Sequence, residues 1–504
     1  MLQKNEISPK SEGAVDWVLM IALLAGPFLT MLDSSVVNVA LPDIATTFNS
    51  SLTEVQWVLS GYLLSLAAVL VACAFLSKRF GASRVYIVSL VGFIFASAAC
   101  AFAPSLEVLI IGRALQGAFG APLVPLAMDL LLGGHKSGAR KIPVGFGIVL
   151  FLAPAIGPTV GGLLINTVGW PYVFLINLPI GIAAAALLLF SKAMSKHDVI
   201  EKNIKFDLIG SVMLAAGLVL TLYGASEGAI DGWFSSSTFP FLVLGVVLIL
   251  SYIVWAMKKD KPAIDLKILR NAETALPLLV SVVASIIMFS VLFLVPVVME
   301  DIQGYSAMDT GLALLPQGIV MGLGSVIGDR IYTKKLLSIR ATVMAGMLLL
   351  VISTAALLFM SASTPEWVTA IILSGRGFAI GLTIQPLLFE MIATLKQSEV
   401  SDGNTLFNVM QRLGGSIGIS ALATVFQSQE TSHITQALAS SGVSPGAISS
   451  GINATALSGL PAVLRDKILS GAMSGFHDTV YILLGLAILG LILSAFLKER
   501  QVNA

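Results

Sequence analysis

Long apolar runs, separated by short polar stretches, repeat along this chain at the length of a bilayer. About 20 consecutive apolar residues cross the hydrocarbon core as a helix, and runs of that size predict about fourteen of them. They fall near 15–38, 55–77, 85–103, 107–128, 142–166, 172–191, 207–227, 239–257, 272–300, 308–328, 341–360, 367–389, 404–427 and 476–497. The loops test this count, because Lys and Arg gather on the cytoplasmic side and one missed helix would invert every later loop. With the N-terminus inside, all but five of the 29 Lys and Arg fall on the cytoplasmic side. Arg113, Arg376 and Arg412 lie within spans, and only Arg465 and Lys467 sit in an outer loop. Both termini are therefore expected in the cytoplasm.

The fourth and twelfth runs match. One reads Gly112, Arg113, Gly117, Gly120, Pro122, and the other Gly375, Arg376, Gly377, Gly381, Pro386. Gly/Pro-interrupted segments at corresponding places in two halves point to a transporter whose repeats rock around a central site. The chain then divides into a tail at 1–14, a six-helix bundle at 15–191, two linker helices with their flanking loops at 192–271, a second six-helix bundle at 272–497 and a tail at 498–504. The expected fold is an all-α membrane protein of two six-helix bundles plus two extra central helices. A long outer loop at 428–475, rich in Ser, Ala and Gly, predicts short amphipathic helices on the outer surface. It reads either as a docking site for a periplasmic membrane-fusion protein or as a flexible excursion.

Composition narrows the class. Hydrophobic residues make up 56% of the chain and charged residues 11%, against about 25% charged in soluble domains. A net charge of +1 gives nucleic acid no footing. Cys73 and Cys100 both lie in apolar runs and read as packing residues. The first apolar run is too long for a signal-peptide core and is expected to stay as a helix.

The first run also carries Asp33. A charge at that depth costs about 2.5 to 3.5 kcal/mol or more unless paired, neutralised or hydrated. At 1.5 Å of rise per residue, Asp33 lies roughly 10 Å from the outer end of its helix and Arg113 roughly 9 Å from the outer start of its own. The two can be level. One reading makes Asp33 a proton carrier and Arg113 its switchable partner. The other makes Asp33 an interfacial acid capped by Ser34, Ser35 and Asn38, and Arg113 a structural arginine bonded to backbone carbonyls. In the fifth run, Gly145, Gly147, Pro154, Gly157, Pro158, Gly161 and Gly162 crowd one segment. Small residues four apart let another helix approach closely, and proline permits a bend.

These residues carry a family resemblance. Gly157-Pro158-Thr159-Val160-Gly161-Gly162 resembles the antiporter motif of the major facilitator superfamily, and Pro154 precedes it. GRALQG at Gly112–Gly117 resembles its arginine motif, and LDSSVVNVALP at Leu32–Pro42 resembles the first-helix motif of the fourteen-helix drug/proton antiporters, the EmrB/QacA subfamily. WPYVFLINLPIG at Trp170–Gly181 and GYSAMDTGLALLPQG at Gly304–Gly318 are similar to other stretches of that subfamily. The resemblance covers nearly the whole chain. It implies the major facilitator fold and multidrug export driven by inward proton movement, with no cofactor beyond the proton gradient. Asp33 and Arg113 match its coupling positions, and its setting would be the bacterial cytoplasmic (inner) membrane. One stretch departs from the pattern. In FLSKRFGASR, Lys78 stands where the family carries an acid, while Arg79 and Gly81 are kept, which puts the usual conformational latch in doubt. Asp329-Arg330 in the tenth-to-eleventh loop retains it on the other side.

Trp57, Tyr62, Gln317, Met321, Gln385 and Gln411 are candidates for a substrate cavity. An aromatic and Met lining would suit a greasy cation. Glu300, Asp301, Asp129 and Glu390 read as solvated helix ends. No GxxxxGK[ST] phosphate loop is present, which disfavours an ATP-driven pump. The four histidines form no HExxH, and the GxSxG at Gly414–Gly418 lies in an apolar helix where a serine elbow does not fit. A membrane-embedded enzyme is thereby disfavoured. Proton-coupled uptake, or export of a metabolite, lipid or siderophore on the same fold, stays open.

Overall fold

The structure, a computed structural model, describes residues 17–133, 145–190, 200, 206–334, 336–396, 399–439 and 461–498. Among them every regular element is helical. In chain order these are α1 (Trp17–Phe48), the one-turn α2 (Leu52–Val55), α3 (Trp57–Leu70), α4 (Cys73–Phe80), α5 (Ala82–Ala101), α6 (Leu106–Gly120), α7 (Leu123–Gly133) and α8 (Gly145–Val168). Then come α9 (Pro171–Leu175), α10 (Asn177–Phe190), α11 (Leu208–Asp231), α12 (Phe239–Lys258) and α13 (Ala272–Val297). A π-helical turn, Val298–Ile302, extends α13. The chain closes with α14 (Ala307–Thr333), α15 (Ile339–Ala356), α16 (Glu366–Ala393), α17 (Val400–Ala439) and α18 (Ala462–Ala495).

A helix stands at each of the fourteen expected places. Twelve of them, among the described residues, are long and apolar enough to cross a membrane, and thirteen if the pair α3 and α4, bent by 53°, is one span. The expected count of fourteen is not reached by that measure. The fifth expected span is α8, 24 residues long. Large apolar side chains face outward all round, among them Phe95 at 72%, Phe190 at 86% and Phe359 at 86% exposure. In water such a surface would aggregate; facing acyl chains it costs nothing.

The packing repeats between the halves. α1 lies against α8 and α10, as α13 lies against α17 and α18; α3 and α5 lie against α6, as α14 and α15 lie against α16. Glycines set the same close crossing twice. A methyl on Gly117 would meet the backbone O of Tyr62 at 2.2 Å, and one on Gly381 the backbone O of Met321 at 2.1 Å. The halves meet where α8 packs on α14, while α11 touches both α3 and α17 and α12 leans on α11.

Two ends differ from expectation. α1 runs past residue 38 and past Pro42 to Phe48, its last turns tied by Thr46 to Pro42 O and Thr47 to Asp43 O. Trp170 Nε1 donates to Thr47 Oγ1 at 3.0 Å. Asp33 is therefore about 22 Å from the helix end rather than 10 Å. The other difference lies at 428–475. Residues up to 439 and from 462 continue α17 and α18 as a packed pair, with Gly475 against Glu430 and His433 bonded to Asp478 at 2.8 Å, rather than forming short surface helices. A 40-residue helix is about 60 Å long, twice a bilayer core. Residues 440–460 lie outside the described residues, as do 1–14, 499–504 and the basic residues Lys136, Arg140, Lys141, Lys192, Lys196, Lys202 and Lys205.

Candidate functional site

Asp33 sits in the middle of α1, 1% exposed, with its carboxylate fully engaged. Arg113 Nη1 donates to Oδ2 at 2.5 Å, while Gln116 Nε2 and Asn177 Nδ2 both donate to Oδ1 at 2.9 Å. The helices make this convergence. Arg113 and Gln116 are three apart on α6 and so share a face, and Asn177 opens α10, which packs on α1. Gln116 Oε1 also accepts from Arg113 Nη1 at 2.6 Å, and both amides donate to Ser97 Oγ on α5. The arginine is held independently of the acid: its Nε donates to Val58 O at 2.9 Å and its guanidinium lies 4.2 Å above the Tyr62 ring. Arg113 is thus bonded both to a backbone carbonyl and to Asp33. Its Nη2 is sealed with no partner among the described residues. The arginine of the second repeat, Arg376, is equally buried but has only Ile287 O to bond, among the described residues.

Beside this cluster lies a central cavity of about 650 Å³. Thr30, Met31, Ser34 and Ser35, the neighbours of Asp33 on α1, line it, and so does Tyr62. Asp33 and Arg113 stand directly behind that wall. Of the expected lining, Tyr62, Gln317, Met321, Gln385 and Gln411 face the cavity together. Trp57 does not. It is 40% exposed and stacks on Tyr223 of α11 at 5.8 Å.

α8 forms the next wall. A methyl on Gly157 would meet Ser35 Cβ at 2.5 Å and one on Gly161 would meet Val36 O at 3.1 Å, so both bring α8 against α1. Pro154 lines the cavity and its carbonyl accepts from Ser35 Oγ at 2.8 Å. A methyl on Gly162 would meet no other described element within 4 Å, and the side chain of Pro158 lies outside the described residues. Gly414 and Gly418 pack against Val282 and Ile286 of α13, a helix contact and not a nucleophile turn.

The loop motif takes an unexpected form. Gly81 joins α4 to α5 at φ 90°, a left-handed conformation that glycine adopts without strain. Lys78, in the acid's place, bonds Asp402 at the start of α17 at 2.8 Å. Next to it, Asn404 Nδ2 reaches Asp129 Oδ1 at 3.0 Å and Pro125 O at 3.1 Å, so Asp129 is tied to α17. The first half is therefore pinned to the second at this end. Asp329 and Arg330 lie near the end of α14. Sequence reasoning missed Gln116 and Asn177, although both stood inside quoted motifs, and missed Asp402.

The chain matches the family model described as Major Facilitator Superfamily over residues 23–419. The Multidrug export protein EmrB of Escherichia coli (strain K12) is 29% identical over 435 residues, covering 84% of this chain and 83% of the relative. The Uncharacterized MFS-type transporter YhcA of Bacillus subtilis (strain 168) is 29% identical over 435 residues, covering 86% of this chain and 80% of the relative. Among solved structures, the proton:xylose symporter XylE superposes with a TM-score of 0.58 at 14% sequence identity, covering 96% of both chains.

Proposed function

This chain belongs to the Major Facilitator Superfamily, and from that premise we propose that it is a proton-coupled exporter, an antiporter of small amphipathic compounds that works by alternating access. Export of drug-like molecules is supported by relatives named for multidrug export. The bacterial relatives and the distribution of basic loop residues support the cytoplasmic membrane, with both termini inside.

One observation carries the proton step: Asp33, sealed from solvent directly behind the cavity wall, with three donors on its carboxylate. All three partners donate, a set that suits the ionised carboxylate, which only accepts. Parting an ion pair inside a protein by removing one partner costs about 3 to 5 kcal/mol, since a bare charge is left behind. A proton on Asp33 removes that charge. Protonation from the outer face then frees α1 to shift relative to α6, and loss of the proton to the inner face restores the pair. The residues around Asp33 on α1 line the cavity, so the same shift reshapes the cargo site. Arg113 keeps Val58 O and the Tyr62 ring through the cycle, which leaves it in place to receive the acid again.

Proteoliposomes with an imposed pH gradient test this reading. Wild-type protein is expected to move a lipophilic compound against the direction of proton flow. Asp33→Asn, which keeps the shape and most donors satisfied, is expected to lose gradient-driven flux while remaining folded by size-exclusion chromatography. Gradient-driven export by Asp33→Asn at the wild-type rate would overturn the assignment, and flux in the same direction as the protons would make the protein an importer.

A further inference from the structure

We infer that the molecule carried in this cavity is an amphipathic anion, and that Arg412 holds its acid group. The inference deepens the export reading, because it takes the central cavity as the cargo site. Among the described residues that line the cavity, Arg412 is the one side chain with a formal charge. It makes no hydrogen bond or ion pair with any described residue, and its nitrogens are not among the sealed atoms, so they open on the cavity. Three acids of the helices around the cavity have partners of their own. Asp33 is held by Arg113, Asp402 by Lys78 and Asp129 by Asn404.

Arginine stays protonated in proteins. A lone positive charge on a mostly apolar wall repels a cation and favours an anion that arrives with its own charge to pair. The surrounding groups point the same way. Asn408 lies one turn before Arg412 on α17 and Gln411 beside it, while Gln317 on α14 and Gln385 on α16 face them across the cavity. Gln411 Nε2, Gln317 Oε1 and Gln385 Oε1 are buried with no partner among the described residues. The Nε2 atoms of Gln317 and Gln385 are not among the sealed atoms, and a turn of the Gln411 amide brings its NH2 to the open side, so these amides can supply donors beside the guanidinium. An acid offers up to four lone pairs to such a set and takes the guanidinium edge in two parallel bonds. The rest of the lining is apolar, with Met288, Phe289, Phe293, Leu314, Met321 and Phe407. That surface takes an acyl chain or an aryl group. The Met and aromatic lining expected for a greasy cation is present, but the fixed charge has the wrong sign for one.

Binding at equilibrium, in nanodiscs of zwitterionic lipid and without a gradient, tests this with three probes of one chain length: dodecanoate, dodecyltrimethylammonium and dodecanol. The wild type is expected to bind dodecanoate about tenfold more tightly than the cation or more. Arg412→Gln is expected to weaken dodecanoate by about ten- to a hundredfold, the size of a lost charge-assisted hydrogen bond, and to bind dodecanol as the wild type does. Arg412→Lys should recover part of the loss. A wild type that prefers the cation, that shows no saturable dodecanoate binding, or whose dodecanoate affinity survives Arg412→Gln overturns the inference. Because no gradient is present, a failure of proton coupling appears only in the flux assay and leaves this result standing.

Discussion

Asp207 shows how far one buried acid can organise its surroundings. It caps α11 by accepting from Gly210 N at 3.0 Å, and it also accepts from Lys259 Nζ at 2.7 Å, Ala263 N at 3.1 Å and Trp255 Nε1 at 3.2 Å. Burial pushes its pKa up, but Lys259, the Gly210 N–H and the Trp255 indole together outweigh burial and hold it below the ordinary carboxylate value. A lowered folded pKa gives stability that is present above the unfolded value of about 3.9 and is lost as the pH falls through the folded one. The melting temperature of the purified protein should therefore drop below about pH 4. In Asp207→Ala that acid-dependent part should be absent, with a cost of about 1 to 2 kcal/mol at neutral pH for the missing cap; an unchanged acid limb would remove Asp207 from the account. At this scale legibility follows cost. Asp33 and Arg113 were readable because a charge in an apolar run demands an explanation. Gln116 and Asn177 are neutral amides, and an amide between helices is ordinary, so nothing marked them. Trp57 was misplaced because its neighbour Tyr223 belongs to α11, and a sequence gives no view of which surface an added helix will cover.

Helices were legible as elements because bilayer thickness sets their length and their apolar content together. Their ends were not, because the criterion stops at the membrane and says nothing of helix standing in water. The first run reads as ending near residue 38, yet α1 continues through Pro42 with Thr46 and Thr47 bonding back to the preceding turn. The same blindness hid the extensions of α17 and α18. Within α8, the crowded glycines divide by what they touch. Gly157 is occupied by α1 and Gly162 faces open space. Gly157→Ala must push Ser35 aside and is expected to cost about 1 to 3 kcal/mol, the usual range for overpacking. Gly162→Ala relieves only the entropic cost of glycine in a helix and should be neutral or stabilising by about 0.5 to 1 kcal/mol. Thermal unfolding of the two variants separates a close approach of α1 and α8 from a general need for small residues. Equal destabilisation by both would mean that the contact with α1 is not what fixes the motif.

On the scale of the whole molecule, the extra helices change how the halves can part. α11 packs on α3 and on α17. Trp57 of α3 stacks on Tyr223, and Trp233, just past α11, donates to Thr424 of α17 at 2.8 Å. Both grips lie toward the end of the bundle away from Lys78 and Asp402, since Trp57 begins α3 and Thr424 lies well along α17. At the opposite end the halves are pinned by Lys78 with Asp402 and by Asn404 with Asp129. The lysine is partly solvated and the acid mostly buried, with side chains 25% and 11% exposed, so the desolvation of Asp402 offsets much of the attraction and the net gain is small. A weak pair suits a gate that must open on every cycle, and a rocking motion that opens the cavity toward this end has to break it. A double variant, Lys78→Cys with Asp402→Cys, joined by a short cleavable thiol cross-linker, is therefore expected to lose gradient-driven flux and to regain it on reduction. Cys73 and Cys100 are both buried, so the reagent meets the introduced pair. Full flux through the cross-linked protein would show that this end stays shut throughout the cycle, and cargo would then have to reach the cavity along the seam between α8 and α14, where the two halves touch without an inserted helix.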